Sequence, residues 1–370
     1  MPNPVAQPSP APMPTALQVF RAWSPHLLSL WFPGTALVFL LTGPHVWWGA
    51  LLFVVPIAVA HHLDTRGFRE VRQPNEKLPA WPFDGLVYLL GILHLVNVVL
   101  FVRLLSGGSV VSFDFWIGVL VVGASSGYSI ITAHELIHRR GAFAQHFGRL
   151  LLCGVLYEHF YTEHLRGHHV RVGFSDDPAT ARYGETFRHF YLRTVPAQFK
   201  NAWRLEKRRL GDESMSNFDP RMLSHRCLHG LVVGWGFGLG VLLLGGLVPF
   251  LAFVLQSVFA SRALEVVNYF EHWGLVRQGH RVHPRHSWDT HSWFTYYALI
   301  GLSRHADHHA HPARPYQALR VFEEPPLLPF GYIGMIPLCV LRNARFQKWA
   351  SLELRRKGYG PFAQSEGEAA

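Results

Sequence analysis

The chain contains few cysteines and few charged residues. Its 370 residues include only three cysteines, Cys153, Cys227 and Cys339. They are too few and too widely spaced for a disulfide framework or a thiolate metal site. Charged residues make up 16% of the chain, whereas a typical soluble domain has about 25%. Together with 49% hydrophobic residues, the low charge content favours a membrane protein over an ordinary soluble domain.

The amino terminus lacks the basic segment and apolar core of a cleaved signal peptide. Residues 1–20 begin with the proline-rich sequence MPNPVAQPSPAPMPT, for which we predict a disordered tail. The formal net charge is +10, but the cations are dispersed among histidines, tryptophans and apolar stretches. We therefore expect no nucleic acid partner, and attribute the charge to membrane topology and to an acidic protein partner.

Apolar stretches sufficient for six membrane spans follow this tail. They lie at 27–42, 46–60, 85–105 and 113–133, and in a long run at 228–268 that Gly245 and Gly246 divide into two. A span needs about 20 apolar residues to cross the hydrocarbon of a bilayer. The sequence therefore predicts an all-α integral membrane protein with six transmembrane helices in one domain at 21–345, followed by a C-terminal tail at 346–370.

Positive charges are concentrated on one side of the predicted spans. The loop at 64–82 carries four lysines or arginines and the block at 139–226 carries fifteen, whereas the turns at 43–45, 106–112 and 245–246 carry none. By the positive-inside rule, both termini and the histidine-rich segments are expected in the cytoplasm. Arg103, near the opposite end of the third span, is the exception, and its long side chain can reach the interface.

Nine of the 24 histidines occur in four motifs at span ends or in the predicted cytoplasmic segments. The motifs are HELIH, EHLRGHH, NYFEHWG and RHADHH. Spacings of three to five residues turn the imidazoles of one cluster to one side of a helix. Neutral imidazole is a strong ligand for transition metals, and nine are too many for one ion. The sequence therefore predicts two metal ions held by histidine.

HELIH by itself also matches the HExxH motif of zinc proteases, with Glu135 as the base. That interpretation would leave most of the other clustered histidines without a role. An all-nitrogen ligand set does not choose the metal, but it leaves the centre strongly cationic. We expect nearby carboxylates to orient the imidazoles and offset this charge. The candidates are Glu135, Glu163, Glu271, Asp307 and, as the weakest, Asp176.

The stretches HELIHR, EHLRGHHVRVGFSDDPATAR, NYFEHWGL and LSRHADHHAHPARPYQALR resemble the histidine signatures of membrane-bound alkane hydroxylases (alkane 1-monooxygenases). These enzymes belong to the fatty-acid desaturase-like membrane di-iron superfamily. The resemblance covers roughly residues 25–345. It implies that two cytoplasmic irons are bound by His134, His138, His164, His168, His169, His272, His305, His308 and His309.

The resemblance also implies an activity and its partners. The two irons would activate O2 and insert one oxygen atom into a terminal C–H bond of an alkane taken from the bilayer. Electrons would come from rubredoxin and rubredoxin reductase, and a basic surface suits an acidic carrier. The expected location is the bacterial cytoplasmic (inner) membrane, in contact with lipid. The sequence is compatible with a homo-oligomer.

Several positions depart from the signatures of the family. Ile137 and Arg139 replace the common Gly and Lys, the second motif reads VGFSDDPA, and Asp289 stands where Asn is expected. None removes a ligand, so the di-iron chemistry that the resemblance implies is unaffected, but these departures loosen the substrate assignment. Medium- or long-chain alkanes are the leading substrates. The alternatives are a di-iron hydroxylase, epoxidase or desaturase acting on fatty acyl chains, terpenes or alkyl-aromatics. A membrane protein that only binds metal is the alternative from another class.

Overall fold

The structure, a computed structural model, describes residues 13–363, which contain no β-strand and only two isolated β-bridges. The helices, in chain order, are α1 (Ala16–Thr42), α2 (Trp47–Thr65), α3 (Trp81–Leu105), α4 (Phe113–Ile137), α5 (Ala142–Cys153), α6 (residues 160–171), α7 (Phe187–Arg209), α8 (Arg226–Gly245), α9 (Leu247–His272), α10 (Trp293–Ala298), α11 (His305–Ala310), α12 (Tyr332–Leu341) and α13 (Asn343–Lys357). Six of them are long and apolar enough to cross a membrane: α1–α4, α8 and α9. This confirms the predicted all-α architecture with six spans.

The first helix begins earlier than the sequence predicted. The Thr15 hydroxyl accepts a hydrogen bond from the Gln18 amide at 3.3 Å, and the Gln18 side chain accepts one from the Thr15 amide at 2.8 Å. This capping box satisfies two amides that would otherwise lack partners, so α1 starts at Ala16. Residues 16–20 are therefore helical, which corrects the predicted disordered tail. Residues 1–12 of that tail lie outside the described residues.

A helix crosses the predicted boundary between the domain and the C-terminal tail. Helix α13 runs from Asn343 to Lys357 and buries Phe346, Ala350 and Leu354. These positions recur at intervals of four residues, so they form one apolar face on the helix. The segment predicted as a C-terminal tail at 346–370 therefore begins as a packed helix. Residues 364–370 lie outside the described residues.

Helices α4 and α9 form the central pair of the bundle and pack along their length. Their close approach depends on small residues: a side chain at Gly123 would meet Phe259, and one at Gly127 would meet Ala263. Both helices end on the same side of the bundle, α4 at the HELIH motif and α9 at His272. Their parallel course brings two of the four histidine motifs together.

The segments that follow α9 are joined to the end of α2. Asp64, at the end of α2, is buried and accepts hydrogen bonds from the hydroxyls of Ser292 at 2.5 Å and Thr295 at 2.6 Å. It also accepts one from the Gly334 amide at 3.0 Å. One carboxylate thus joins α2, α10 and α12, and it fixes the segments that carry the last histidine motif relative to the membrane spans.

Candidate metal centre

The structure brings all nine motif histidines together in two adjacent groups. The first, the five-histidine group, contains His134, His138, His164, His169 and His308. The second, the four-histidine group, contains His168, His272, His305 and His309. Within each group the candidate ligand atoms all lie within 4.8 Å of one another. Residues from four separate parts of the chain therefore converge at one end of the bundle.

The imidazole nitrogens are too close together to be explained by hydrogen bonding alone. In the five-histidine group, Nε2 of His164 lies 3.0 Å from Nε2 of both His138 and His169. In the four-histidine group, Nε2 of His305 lies 3.1 Å from that of His272 and 3.0 Å from that of His309. A neutral imidazole nitrogen either donates one hydrogen or accepts with one lone pair, so it cannot satisfy two such neighbours.

These distances fit a shared metal ion. A first-row metal binds histidine nitrogen at about 2.1 Å, so two ligands at a right angle lie roughly 3.0 Å apart. Nε2 of His168 is buried and has no hydrogen-bond partner among the described residues, although its Nδ1 is paired. A buried nitrogen without a partner is costly, and a cation in the group would remove that cost. Both groups therefore fit a metal ion.

Helix α6 separates neighbouring histidines into different groups. Residues Glu163–His168 form a π-helix, in which the His169 amide donates to the His164 carbonyl five residues earlier. His164 and His169 consequently face the same group, while His168 turns towards the other. Such π-helical turns are rare and occur often at functional sites. Ordinary helical spacing predicts that the imidazoles of this motif face one side, and the consecutive histidines 168 and 169 are the signal in the sequence for a departure from it.

A carboxylate that the sequence analysis missed orients one of the histidines. Oδ2 of Asp177 accepts a hydrogen bond from Nδ1 of His168 at 2.8 Å, and it also accepts one from the Thr180 hydroxyl at 2.6 Å. Burial alone would raise the pKa of Asp177, but His168 and the hydrogen bonds outweigh burial and lower it. Asp176 instead contacts Arg171 at 3.7 Å with a side chain that is 66% exposed. Asp177, and not the predicted Asp176, is therefore the carboxylate beside His168.

Two of the expected carboxylates lie beside the histidine groups. Glu271 approaches Nε2 of His305 at 3.3 Å, and it accepts a hydrogen bond from the Tyr332 hydroxyl at 2.5 Å. Glu135 is paired with Arg139 at 2.7 Å and accepts a hydrogen bond from the Tyr316 amide at 3.2 Å. Glu271 therefore contacts a histidine directly, whereas Glu135 fastens the end of α4 to the segment after α11.

The hydrogen bonds of Glu163 and Asp307 go to other side chains. Glu163 accepts from Asn201 at 2.5 Å and from Arg171 at 3.4 Å, and burial raises its pKa to about 8. Asp307 accepts from Arg314 at 2.5 Å and from the Arg320 amide at 2.7 Å. Both carboxylates hold the segments that carry histidines, and neither has a hydrogen bond to a histidine of the two groups.

Burial keeps the histidine side chains uncharged, which is the form that can bind a metal. Burial, reinforced by neighbouring imidazoles, holds the pKa values well below the usual value for histidine at His138, His164, His169, His305, His308 and His309. At neutral pH these side chains are uncharged. Only the uncharged form offers a lone pair to a metal. A cation could therefore bind here without first displacing the charge-carrying protons of these residues.

Asp289, which stands where the family signatures have asparagine, lies beside the four-histidine group. It is buried and accepts a hydrogen bond from the Ala306 amide at 2.8 Å, next to His305. Burial raises its pKa to about 8, so the side chain is mainly neutral at pH 7. A protonated aspartic acid has the shape of the expected asparagine and carries no charge. The substitution therefore preserves the electrostatics of this position.

The two groups differ in their access to solvent. Every member of the four-histidine group is buried, whereas His138 and His169 of the five-histidine group are half-buried. The five-histidine group is therefore the one nearer to solvent.

Two other histidines near the motifs do not join either group. His311 pairs with Asp307 at 2.8 Å, and His291 contacts Arg69 at 2.6 Å.

The comparisons with known proteins agree with this geometry. A family model described as fatty acid desaturase matches residues 111–337. Alkane 1-monooxygenase 1 of Pseudomonas aeruginosa is 33% identical over 343 residues, 88% of each chain. Alkane 1-monooxygenase 1 of Alcanivorax borkumensis is 32% identical over 354 residues, 89% of this chain and 86% of that protein. This chain, with its six spans and its histidine groups, belongs to the alkane 1-monooxygenase family of oxidoreductases.

Proposed function

We propose that this protein is a di-iron monooxygenase that hydroxylates the terminal carbon of medium- or long-chain alkanes, with O2 as oxidant and rubredoxin as electron donor. The observation that carries the proposal is the convergence of nine histidines into one group of five and one of four. The five-histidine group would hold one iron and the four-histidine group the other. When bound, the irons supply the activation of O2 and the storage of electrons.

The protein supplies orientation and the exclusion of water around this centre. Asp177 fixes the ring of His168, and Glu271 lies 3.3 Å from His305. The ring of Phe160 stacks on that of His164 with their centroids 4.6 Å apart. These contacts hold the imidazoles in place, so little reorganisation is needed during the reaction. Burial of seven of the nine histidines also limits the access of bulk water to the centre.

The membrane spans favour an uncharged substrate from the bilayer. Within α1–α4 the charged residues lie near helix ends, as Asp84 and Arg103 do in α3 and Asp114 and Glu135 do in α4. No mid-span charge in these helices is available to bind a carboxylate or phosphate. An alkane dissolves in the hydrocarbon core and can reach the ends of these helices from the bilayer. This supports an alkane over a charged lipid as the substrate.

The half-buried side of the five-histidine group is the proposed entry for electrons. Arg140 follows the HELIHR motif and Arg166 lies between His164 and His168, and both arginines are exposed. Positive charges beside the accessible group favour the approach of an acidic carrier. By the positive-inside rule this face is cytoplasmic, in a bacterial inner membrane.

Metal analysis combined with product analysis tests this proposal. We expect purified protein to contain two irons per chain and to convert octane or hexadecane into the 1-alcohol when it is supplied with rubredoxin, rubredoxin reductase and O2. His308→Ala and His309→Ala each remove one histidine, from different groups, and should abolish product and lower the iron content. His62→Ala is the control, because that side chain is exposed and outside both groups.

Three outcomes would contradict parts of the proposal. Protein with full activity but no iron would exclude the di-iron centre. Turnover of xylene or fatty acid with no alkane product would exclude alkanes as substrates. Wild-type turnover in either histidine variant would remove that residue from the set of ligands.

A further inference from the structure

A cavity of about 470 Å³ lies away from the metal centre, between the start of α7, the second half of α9 and the junction of α12 and α13. Two arginines, Arg188 and Arg262, line it together with aromatic and aliphatic side chains that include Phe187, Tyr191 and Leu192. None of the residues that line it is acidic. The cavity is therefore both cationic and partly apolar.

The guanidinium group of Arg262 is held in place by aromatic rings. It lies 5.1 Å from the ring centre of Phe187 and 5.3 Å from that of Tyr191. Stacking on rings fixes the plane of an arginine and leaves its N–H groups available to a ligand. Among the described residues, Arg262 has no carboxylate within ion-pair distance. An arginine that is positioned in this way and has no counter-ion suits an anion.

Arg188 contributes a second cation without an acidic partner in the described part of the chain. It lies in the first turn of α7, one residue after Phe187, and its side chain is exposed. The nearby Glu185 is already paired with Arg193 at 2.8 Å. The cavity thus carries two positive charges that the described residues do not neutralise. Two guanidinium groups match the several oxygen atoms of a phosphate group.

The length of α9 places this cavity near a membrane surface. The helix has 26 residues, which at about 1.5 Å per residue span about 39 Å, more than the roughly 30 Å of bilayer hydrocarbon. Arg262 lies in the last half of this helix, on the side of the metal centre. With Leu247 at the opposite boundary, Arg262 is within about 8 Å of the hydrocarbon edge, a distance that an arginine side chain can span.

Exposed aliphatic residues flank the two arginines. Leu192 lines the cavity with 61% of its surface exposed, and Leu341, which follows the lining residue Val340, is 78% exposed. Exposed leucines beside cationic groups at this depth form a surface that is polar at one end and apolar at the other. A free inorganic anion would use only the cationic part, whereas a phospholipid would use both.

We propose that this cavity binds the headgroup of an anionic phospholipid from the leaflet on the metal-centre side. The phosphate would be held by Arg188 and Arg262, and the acyl chains would lie against Leu192 and Val340. The site holds α7, α9 and α12 together through the lipid. The proposal does not depend on the reaction that the metal centre catalyses.

Lipid retention and thermal stability test this site. Wild-type protein is placed in phosphatidylcholine nanodiscs with and without phosphatidylglycerol, and its unfolding temperature and retained lipids are measured. Phosphatidylglycerol should raise the unfolding temperature and remain bound in native mass spectra. Arg188→Gln/Arg262→Gln should lose most of this gain, and each lost arginine should weaken binding roughly tenfold. Arg103→Gln, which removes an exposed arginine from α3, should behave like wild type.

The outcomes separate a lipid site from other anion sites. An equal gain from phosphatidylglycerol in the double variant would overturn the proposal, as would reproduction of the gain by millimolar inorganic phosphate in phosphatidylcholine. Where the double variant does not accumulate, the single variant Arg188→Gln is used for the same test. Arg188 is exposed, so its replacement does not disturb the packing of the core. Retention of phosphatidylglycerol by that variant at the wild-type level would also overturn the proposal.

Discussion

The carboxylate of Asp177 is joined to Nδ1 of His168 at 2.8 Å, while the adjacent Asp176 has a side chain that is 66% exposed. The pair therefore provides a matched test of histidine orientation. Asp177→Asn keeps the size of the side chain but removes the charge that holds the His168 proton on Nδ1. We expect metal affinity to fall about 10- to 100-fold.

The measurement for this pair is iron retention against a competing chelator, with activity followed in parallel. Asp176→Asn is the control and should retain wild-type affinity. Full iron affinity in Asp177→Asn would show that packing alone orients His168. Circular dichroism of both variants checks that the helical fold is kept.

The buried Glu158 should make stability depend on pH. Burial raises its pKa from 4.5 to about 7, despite an ion pair with Arg149 at 2.5 Å. The folded state therefore holds this proton more tightly than the unfolded state does. This difference in proton affinity stabilises the folded state. Its contribution to the free energy of unfolding is fully present below pH 4.5 and is lost as pH rises through 7, a loss of roughly 3 kcal/mol at most.

Replacing this residue isolates its contribution. Glu158→Gln should flatten the decline in unfolding temperature between pH 5 and pH 8, because glutamine does not titrate. Glu213→Gln is the control, since Glu213 is 43% exposed and pairs with Arg208 at the surface. Parallel curves for wild type and Glu158→Gln would assign the pH dependence to other groups.

Asp64 should be essential for joining the last histidine motif to the spans. It accepts hydrogen bonds from Ser292, Thr295 and the Gly334 amide, all in a buried environment. Asp64→Ala leaves these donors without a partner, at a cost of about 1–3 kcal/mol each. We expect a large drop in unfolding temperature, with loss of iron, when detergent-solubilised protein is heated. An unfolding temperature within a degree or two of wild type would contradict this role.

Charge near the five-histidine group should control the rate of reduction. Arg140→Gln/Arg166→Gln should slow reduction by an acidic electron carrier at low ionic strength and weaken its dependence on salt. Stopped-flow reduction at several salt concentrations measures both effects. Iron content and reduction by a small neutral reductant should stay unchanged. A salt-independent wild-type rate would show that the basic surface serves topology or lipid instead.

The sequence predicted the parts of the fold that depend on local pattern. Six apolar runs of sufficient length could be counted, and glycines 245 and 246 marked the break between α8 and α9. The four motifs contain all nine histidines that the structure brings together in the two groups, because the histidines of each motif are close in sequence. Their role as metal ligands stays a prediction. Span ends were less predictable, since capping by Thr15 and continuation of α4 to Ile137 depend on particular side-chain contacts.

Features that depend on tertiary contacts could not be predicted from the spacing of residues along the chain. Residue spacing offers no reason to prefer Asp177 over Asp176, because only the fold decides which carboxylate faces His168. The role of Asp64 depends on three hydrogen bonds to residues more than 200 positions away. The division of histidines into five and four likewise depends on a π-helix, whose register ordinary helical periodicity does not predict.

The π-helix has a mechanical consequence for loading of the centre. His168 and His169 are consecutive in the chain but belong to different histidine groups, so a single peptide unit joins the two groups. An ion that settles in one group fixes the backbone that presents a ligand to the other. Loading is therefore expected to be cooperative: a substoichiometric titration would yield mainly empty and doubly filled molecules, with few that carry a single ion.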